Sequence, residues 1–143
     1  MVIVMEYETL YKDNEKRNYT FLKEFEEWLV KQGLANKTIT RHLKNASFYI
    51  NIFLTHDEII PMEDGMEHAT EFYSYFFIRK CMWSTPNTLS ESCTSLKKFY
   101  ECMCELNHVS KEKYDLFAFL IKECRKEWME ECEYYNNNAN FRF

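Results

Sequence analysis

The chain has 143 residues, 46% of them apolar, and a formal net charge of −5. That length fits one domain with a sizeable core, and the acidic balance excludes a protein that coats nucleic acid indiscriminately, because phosphate binding is dominated by Lys and Arg. With only two Gly and two Pro, few positions force a helix to stop, so the expected class is all-α.

Residues 1–17 read as an amino-terminal extension. The run Met1-Val2-Ile3-Val4-Met5 is too short for a signal peptide and has no cation before it. No later run approaches the roughly 18 apolar residues of a membrane span. The expected compartment is the cytoplasm, with no membrane contact, and the six cysteines are then expected to be free thiols.

A first helix is predicted from about Tyr19 to Gln32, with Phe21, Leu22, Phe25, Trp28 and Leu29 on one face. Gly33 is its natural left-handed stop. Asn36 is expected to cap a second helix reaching about Leu54, whose apolar positions Ile39, Leu43, Ala46, Ile50 and Phe53 recur at 4-3-4-3 spacing. Lys37, Arg41 and Lys44 lie off that stripe.

Residues 55–65, which include Pro61 and Gly65, read as a loop before a third helix from Met66 to Met82. Its aromatic run Phe72, Tyr73, Tyr75, Phe76, Phe77 covers most of its circumference, which predicts a central helix of the bundle. A base-stacking platform is disfavoured because no cation interleaves these rings before Arg79; a homodimer interface is the intermediate reading. Arg79 and Lys80 fall at the helix end, where the dipole alone favours cations.

The fourth helix is placed from Pro86 or Asn87 to Leu106, with an apolar stripe at Leu89, Cys93, Leu96, Tyr100 and Met103, with Lys97 and Lys98 off it, and Asn107 as its stop. Ser110 caps a fifth helix with its stripe at Tyr114, Phe117, Ile121, Cys124 and Trp128, running to about Tyr135. That is roughly 25 residues, longer than the usual 11 or 12, so part of it is expected to project. Residues 136–143 are asparagine-rich and aperiodic and read as a frayed tail.

Cys102, Cys104 and His108 have the donor atoms for a metal, but positions i and i+2 of a helix point to different faces, so no metal is expected. Carboxylates are scattered over helix surfaces without convergence. No catalytic residues, cofactor or small-molecule substrate are therefore expected.

The order of elements resembles a known family: an opening helix ending in Trp28-Leu29, then Gly33-Leu34-x-x-Lys37-Thr38 leading into a helix, an aromatic helix, and a Ser/Thr-rich lead-in to a helix ending Leu96-Lys97-Lys98-Phe99-Tyr100. Over residues 18–108 this resembles the core-binding domain of tyrosine recombinases, the SAM-like amino-terminal domain of phage integrases. The resemblance implies a compact bundle of four or five helices, here with a long carboxy-terminal helix at 109–135, that clamps one side of double-stranded DNA. It implies phosphate or groove contacts from Lys37, Thr38, Arg41 and Lys44 on the second helix and from Thr88, Thr94, Lys97 and Lys98 on the fourth. Helix amino termini would add backbone N–H donors.

Family recombinases cut DNA with a separate catalytic domain that carries an HxxR element. His42, His56, His68 and His108 are followed three places later by Asn45, Ile59, Glu71 and Lys111, so this sequence has no such element, and the implied function is a non-catalytic module, with catalysis left to a recombinase partner. Residues 34–104 hold seven Lys or Arg against eight Asp or Glu, so geometry must separate the signs. The alternative is a helical protein–protein interaction module, a recombinase accessory or remnant, as a homodimer or with a partner, that has lost DNA binding.

Overall fold

With Gly and Pro so scarce, helices end here only where a specific residue ends them. The computed structural model describes residues 2–139, and among these there is no β-strand. The chain divides into two units, Met1–Gly65 and Met66–Phe143.

In the first unit α1 runs from Val2 to Lys31, 30 residues, or about 45 Å at 1.5 Å per residue. The expected extension at 2–17 is thus an unbroken part of the first helix, since nothing before Gly33 interrupts it. Gly33 has φ +77°, and its N–H donates to the Val30 carbonyl at 3.0 Å. A Cβ at this position would meet nothing within 4 Å, so the requirement for glycine is conformational rather than steric.

The second helix, α2, covers Asn36–Ser47 and continues through a π-helical turn, Phe48–Ile52, and a 3-10 turn, Phe53–Thr55. Asn36 is not its cap. Ala35 holds the extended N-cap conformation and offers no side-chain hydrogen bond. α2 packs beside α1, where Asn18, 1% exposed, donates to the Ile50 carbonyl at 3.1 Å and to Asn51 Oδ1 at 2.9 Å. Asn51 in turn donates to Ser47 Oγ. The π turn therefore sits where a buried polar ladder joins the two helices. Tyr49, fully buried, donates its hydroxyl to the Gly65 carbonyl at 2.6 Å, and Arg17 on α1 pairs with Glu63 at 2.5 Å.

The expected loop at 55–65 ends in a 3-10 turn, Met62–His68. In the second unit the third helix is a composite, here α3, of Ala69–Glu71, a π-helical turn Phe72–Phe76, and Phe77–Lys80. It is buried on one side only. Phe72, Tyr73, Phe77 and Ile78 are in the core, whereas Tyr75 is 51% exposed, which corrects the expectation of a helix covered all round.

Helix α4, Pro86–Glu105, opens with a reciprocal capping box: Thr85 Oγ1 accepts from the Thr88 N–H at 3.0 Å and Thr88 Oγ1 accepts from the Thr85 N–H at 2.9 Å. It ends at Asn107, the only non-glycine residue with positive φ (64°) among those described, and the His108 N–H closes onto the Met103 carbonyl at 2.8 Å.

The last helix, α5, spans Lys111–Ala139, 29 residues. Ser110 Oγ accepts from the Lys113 N–H, and Phe117, Ile121, Trp128 and Cys132 are buried along its length. The burial continues to Cys132, and Asn136 donates to the Ser84 carbonyl at 2.8 Å. Residues 136–139 of the expected tail are therefore helical; its remainder, 140–143, lies outside the described residues. Trp128 stacks on Tyr73 with ring centroids 5.0 Å apart, and the Tyr73 hydroxyl meets Ser92 Oγ at 2.9 Å, so one aromatic pair ties α3, α4 and α5 together. No helix is long and apolar enough to cross a membrane among the described residues.

Replacing Asn18 by Ala removes the donor to Ile50 and Asn51 inside a closed interface. It is expected to destabilise the protein by about 1–3 kcal/mol in urea unfolding, whereas Val30→Ala on the exposed side of the same helix should stay within about 0.5 kcal/mol. Equal effects of the two would contradict this assignment of the ladder.

Candidate nucleic-acid interface

The sequence proposes two cationic helices, and the structure treats them differently. On α2, burial of Ile39, His42 and Ala46 fixes which side of the helix faces inward. With 3.6 residues per turn, positions 37, 41 and 44 then fall on the opposite side. Lys37, Arg41 and Lys44 are all exposed, and Thr38 is half-buried at the margin. None of the three cations makes an ion pair among the described residues. The helix holds no Asp or Glu at all. It is a short, uninterrupted cationic stripe.

Its borders are less favourable to an anion. Between α1 and α2 runs an apolar groove of about 570 Å³ lined by Tyr19, Leu22, Leu43, Phe48 and Ile52, with Lys23 and Lys44 at its rim. Lys23 is 4.0 Å from Glu26. A second hollow beside Asn36 and Thr40 carries Glu26, Glu27 and Lys31. Positive charge unopposed by carboxylates is thus confined to the outward stripe.

On α4 the four candidate side chains are differently employed. Thr88 completes the capping box and also donates to the Trp83 carbonyl at 3.2 Å. Thr94 donates to the Ser90 carbonyl and accepts from Arg125 on α5, whose guanidinium also donates to the Ser90 carbonyl. Both hydroxyls are therefore engaged within the fold. Lys97 is exposed and Lys98 half-buried, on a helix that also carries Glu91, Glu101 and Glu105. α2 belongs to the first unit and α4 to the second.

Arg125 escaped the sequence reading because a cation near the middle of a long helix looks like any solvated charge. Only its hydrogen bonds to Ser90 and Thr94 show that it holds α5 to α4. Arg79 is likewise committed to packing. Its guanidinium lies over two rings, 5.4 Å from the centroid of Tyr75 and 5.0 Å from that of Tyr135. Beside it is a cleft of about 540 Å³ carrying Glu127, Glu130 and Glu131, where burial first and then the charge of Glu127 raise the Glu131 carboxyl above its ordinary range. The spacing of those three glutamates was visible in the sequence; their placement in one cleft with Arg79 was not.

All six cysteines are free, and among the described residues no group of three or more His, Cys, Asp or Glu could hold a metal ion. Burial pushes the Cys93 thiol up to about 12 even though Arg125 and Tyr73 favour its thiolate. Comparison with protein-family models, with curated proteins and with solved structures gives no match to this chain.

A thiol at about 12 is ionised to only about one part in ten thousand at pH 8. Iodoacetamide at that pH is expected to modify half-buried Cys104 in the native protein, to spare Cys93, and to reach Cys93 once urea unfolds the chain. Mass-spectrometric detection of rapid Cys93 alkylation in the native state would contradict this burial.

Proposed function

We propose that the chain is a non-catalytic DNA-binding module of the integrase core-binding type, contacting the phosphates of double-stranded DNA through the outer face of α2. The observation that carries this reading is the stripe of Lys37, Arg41 and Lys44, exposed, without ion pairs among the described residues and on a helix devoid of carboxylates. The resemblance of residues 18–108 to the core-binding domains of tyrosine recombinases supports it, with strand cleavage assigned to a separate catalytic partner. Lys97 and Lys98 are secondary contacts in this reading, and the internal bonding of Thr88 and Thr94 removes both from the contact set.

Three cations on a chain of net charge −5 imply weak, sequence-independent binding dominated by counterion release. Thr38, at the edge of the stripe, is placed to add a hydroxyl contact to phosphate or sugar, which positions without specifying sequence. A second reading, a helical protein-interaction module, is favoured by one observation: Ile3, Val4, Tyr7, Leu10 and Tyr11 on α1 are between 38% and 80% exposed.

Fluorescence anisotropy with a generic 20-base-pair duplex in about 50 mM salt is expected to give a dissociation constant on the order of 10–100 µM, and log K should fall against log salt with a slope of about −2 to −3. Arg41→Glu should weaken binding by about tenfold and reduce the slope by roughly one, while Lys111→Glu on α5 should leave both unchanged. Absence of binding at 100 µM, or equal loss in the two variants, would overturn the reading.

A further inference from the structure

Periodicity assigns Leu22 of α1 and Leu43 of α2 to the core, yet both are only half-buried. They lie with Tyr19, Phe48 and Ile52 in the groove of about 570 Å³ between the two helices. Tyr19 is 63% and Ile52 50% exposed. Along α2 this apolar floor runs from Leu43 to Ile52, about 14 Å of helix. A furrow between two packed helices is where the ridge of a third helix seats, and an open apolar patch on a folded protein marks an interaction site.

The two banks of the groove differ in charge. On the α1 bank Lys23 lies 4.0 Å from Glu26, so the two charges largely offset each other. The α2 bank carries Lys44, which lines the groove and makes no ion pair among the described residues. Lys37, Arg41, Lys44 and Phe48 recur at 4-3-4 spacing, so the cationic stripe runs directly into the apolar wall on one helix face. Residues 36–55 include no Asp or Glu to oppose it.

We propose that this groove seats an acidic amphipathic helix of a partner protein. Its apolar side chains, at i, i+3 or i+4, and i+7, fill the floor, and its carboxylates lie on the flank that faces Lys37, Arg41 and Lys44. The flank turned to the α1 bank is uncharged, because a carboxylate there would meet Glu26. Duplex DNA brings phosphates to the stripe but nothing apolar to Leu22 and Leu43. A bilayer is a poor occupant too: an interfacial helix pushes its apolar face about 5–10 Å into lipid, which side chains at the floor of a furrow do not do. The seated helix and DNA share Lys44, but binding of the helix does not depend on DNA contact by α2.

The probe is a fluorescein-labelled peptide of about 14 residues, with leucine at three- and four-residue steps, glutamate along one flank and alanine elsewhere. Anisotropy with the full chain is expected to give a dissociation constant on the order of 10–100 µM, weak because the peptide orders as it binds. The same peptide with lysine for glutamate should bind at least about tenfold more weakly, as should a scrambled order that breaks the leucine stripe. Lys44→Glu should weaken both peptide and DNA binding, whereas Ile52→Ser should weaken the peptide about fivefold or more and leave DNA binding unchanged. Leu116→Glu on α5 should alter neither. Failure of the glutamate peptide to bind at 300 µM overturns the proposal, as does equal binding of the lysine or scrambled peptide, or an Ile52→Ser chain that binds the peptide as before. Cosedimentation of the chain with phosphatidylserine vesicles that Ile52→Ser abolishes would assign the groove to lipid, and self-association that the peptide dissolves would assign it to a second copy; either result overturns the proposed partner.

Discussion

Burial of Ile39, His42 and Ala46 fixes the rotation of α2 about its own axis, and the proposed contact surface follows from that rotation. A helix has one period, so placing three residues inward places Lys37, Arg41 and Lys44 outward together. The left-handed turn at Gly33 brings α2 back beside α1 so that the inward face has something to bury against. A residue with a Cβ at Gly33 would strain the turn on which the orientation of the cationic stripe depends.

Each unit is held by polar atoms placed where apolar packing alone would leave the arrangement underdetermined. In the first unit the ladder from Asn18 through Asn51 to Ser47 sets the register of α1 against the π turn that follows α2. In the second, Tyr73 stacks on Trp128 while its hydroxyl meets Ser92, and Arg125 reaches the carbonyl of Ser90 and the hydroxyl of Thr94. Such bonds add little net stability each, but leaving one partner buried and unpaired is costly. They select one arrangement among several that would bury the same apolar area.

The elements that sequence made legible are those with strong periodicity and a chemical stop. The stripe Leu89, Cys93, Leu96, Tyr100, Met103 and the left-handed Asn107 delimited α4 nearly to the residue, and Gly33 did the same for the end of α1. The amino-terminal half of α1 was not legible as helix, because half of its stripe faces solvent and Asn14 and Asn18 interrupt the apolar pattern. The helical continuation to Ala139 was hidden by asparagines that read as loop formers, although one of them, Asn136, bonds across to Ser84. For the site, the outward placement of Lys37, Arg41 and Lys44 was derivable from spacing alone. The internal engagement of Thr88 and Thr94 was not, because a threonine on a helix looks the same from its sequence whether its hydroxyl meets a phosphate or Arg125.

The central claim is that the outer face of α2 is where this protein meets DNA phosphate. Two-dimensional ¹H–¹⁵N NMR of the labelled chain, titrated with a short duplex at low salt, tests it residue by residue. The account predicts that the largest amide shifts fall between Lys37 and Lys44 and vanish together as salt is raised through about 200 mM. Shifts centred on another helix, with 37–44 unmoved, would contradict it.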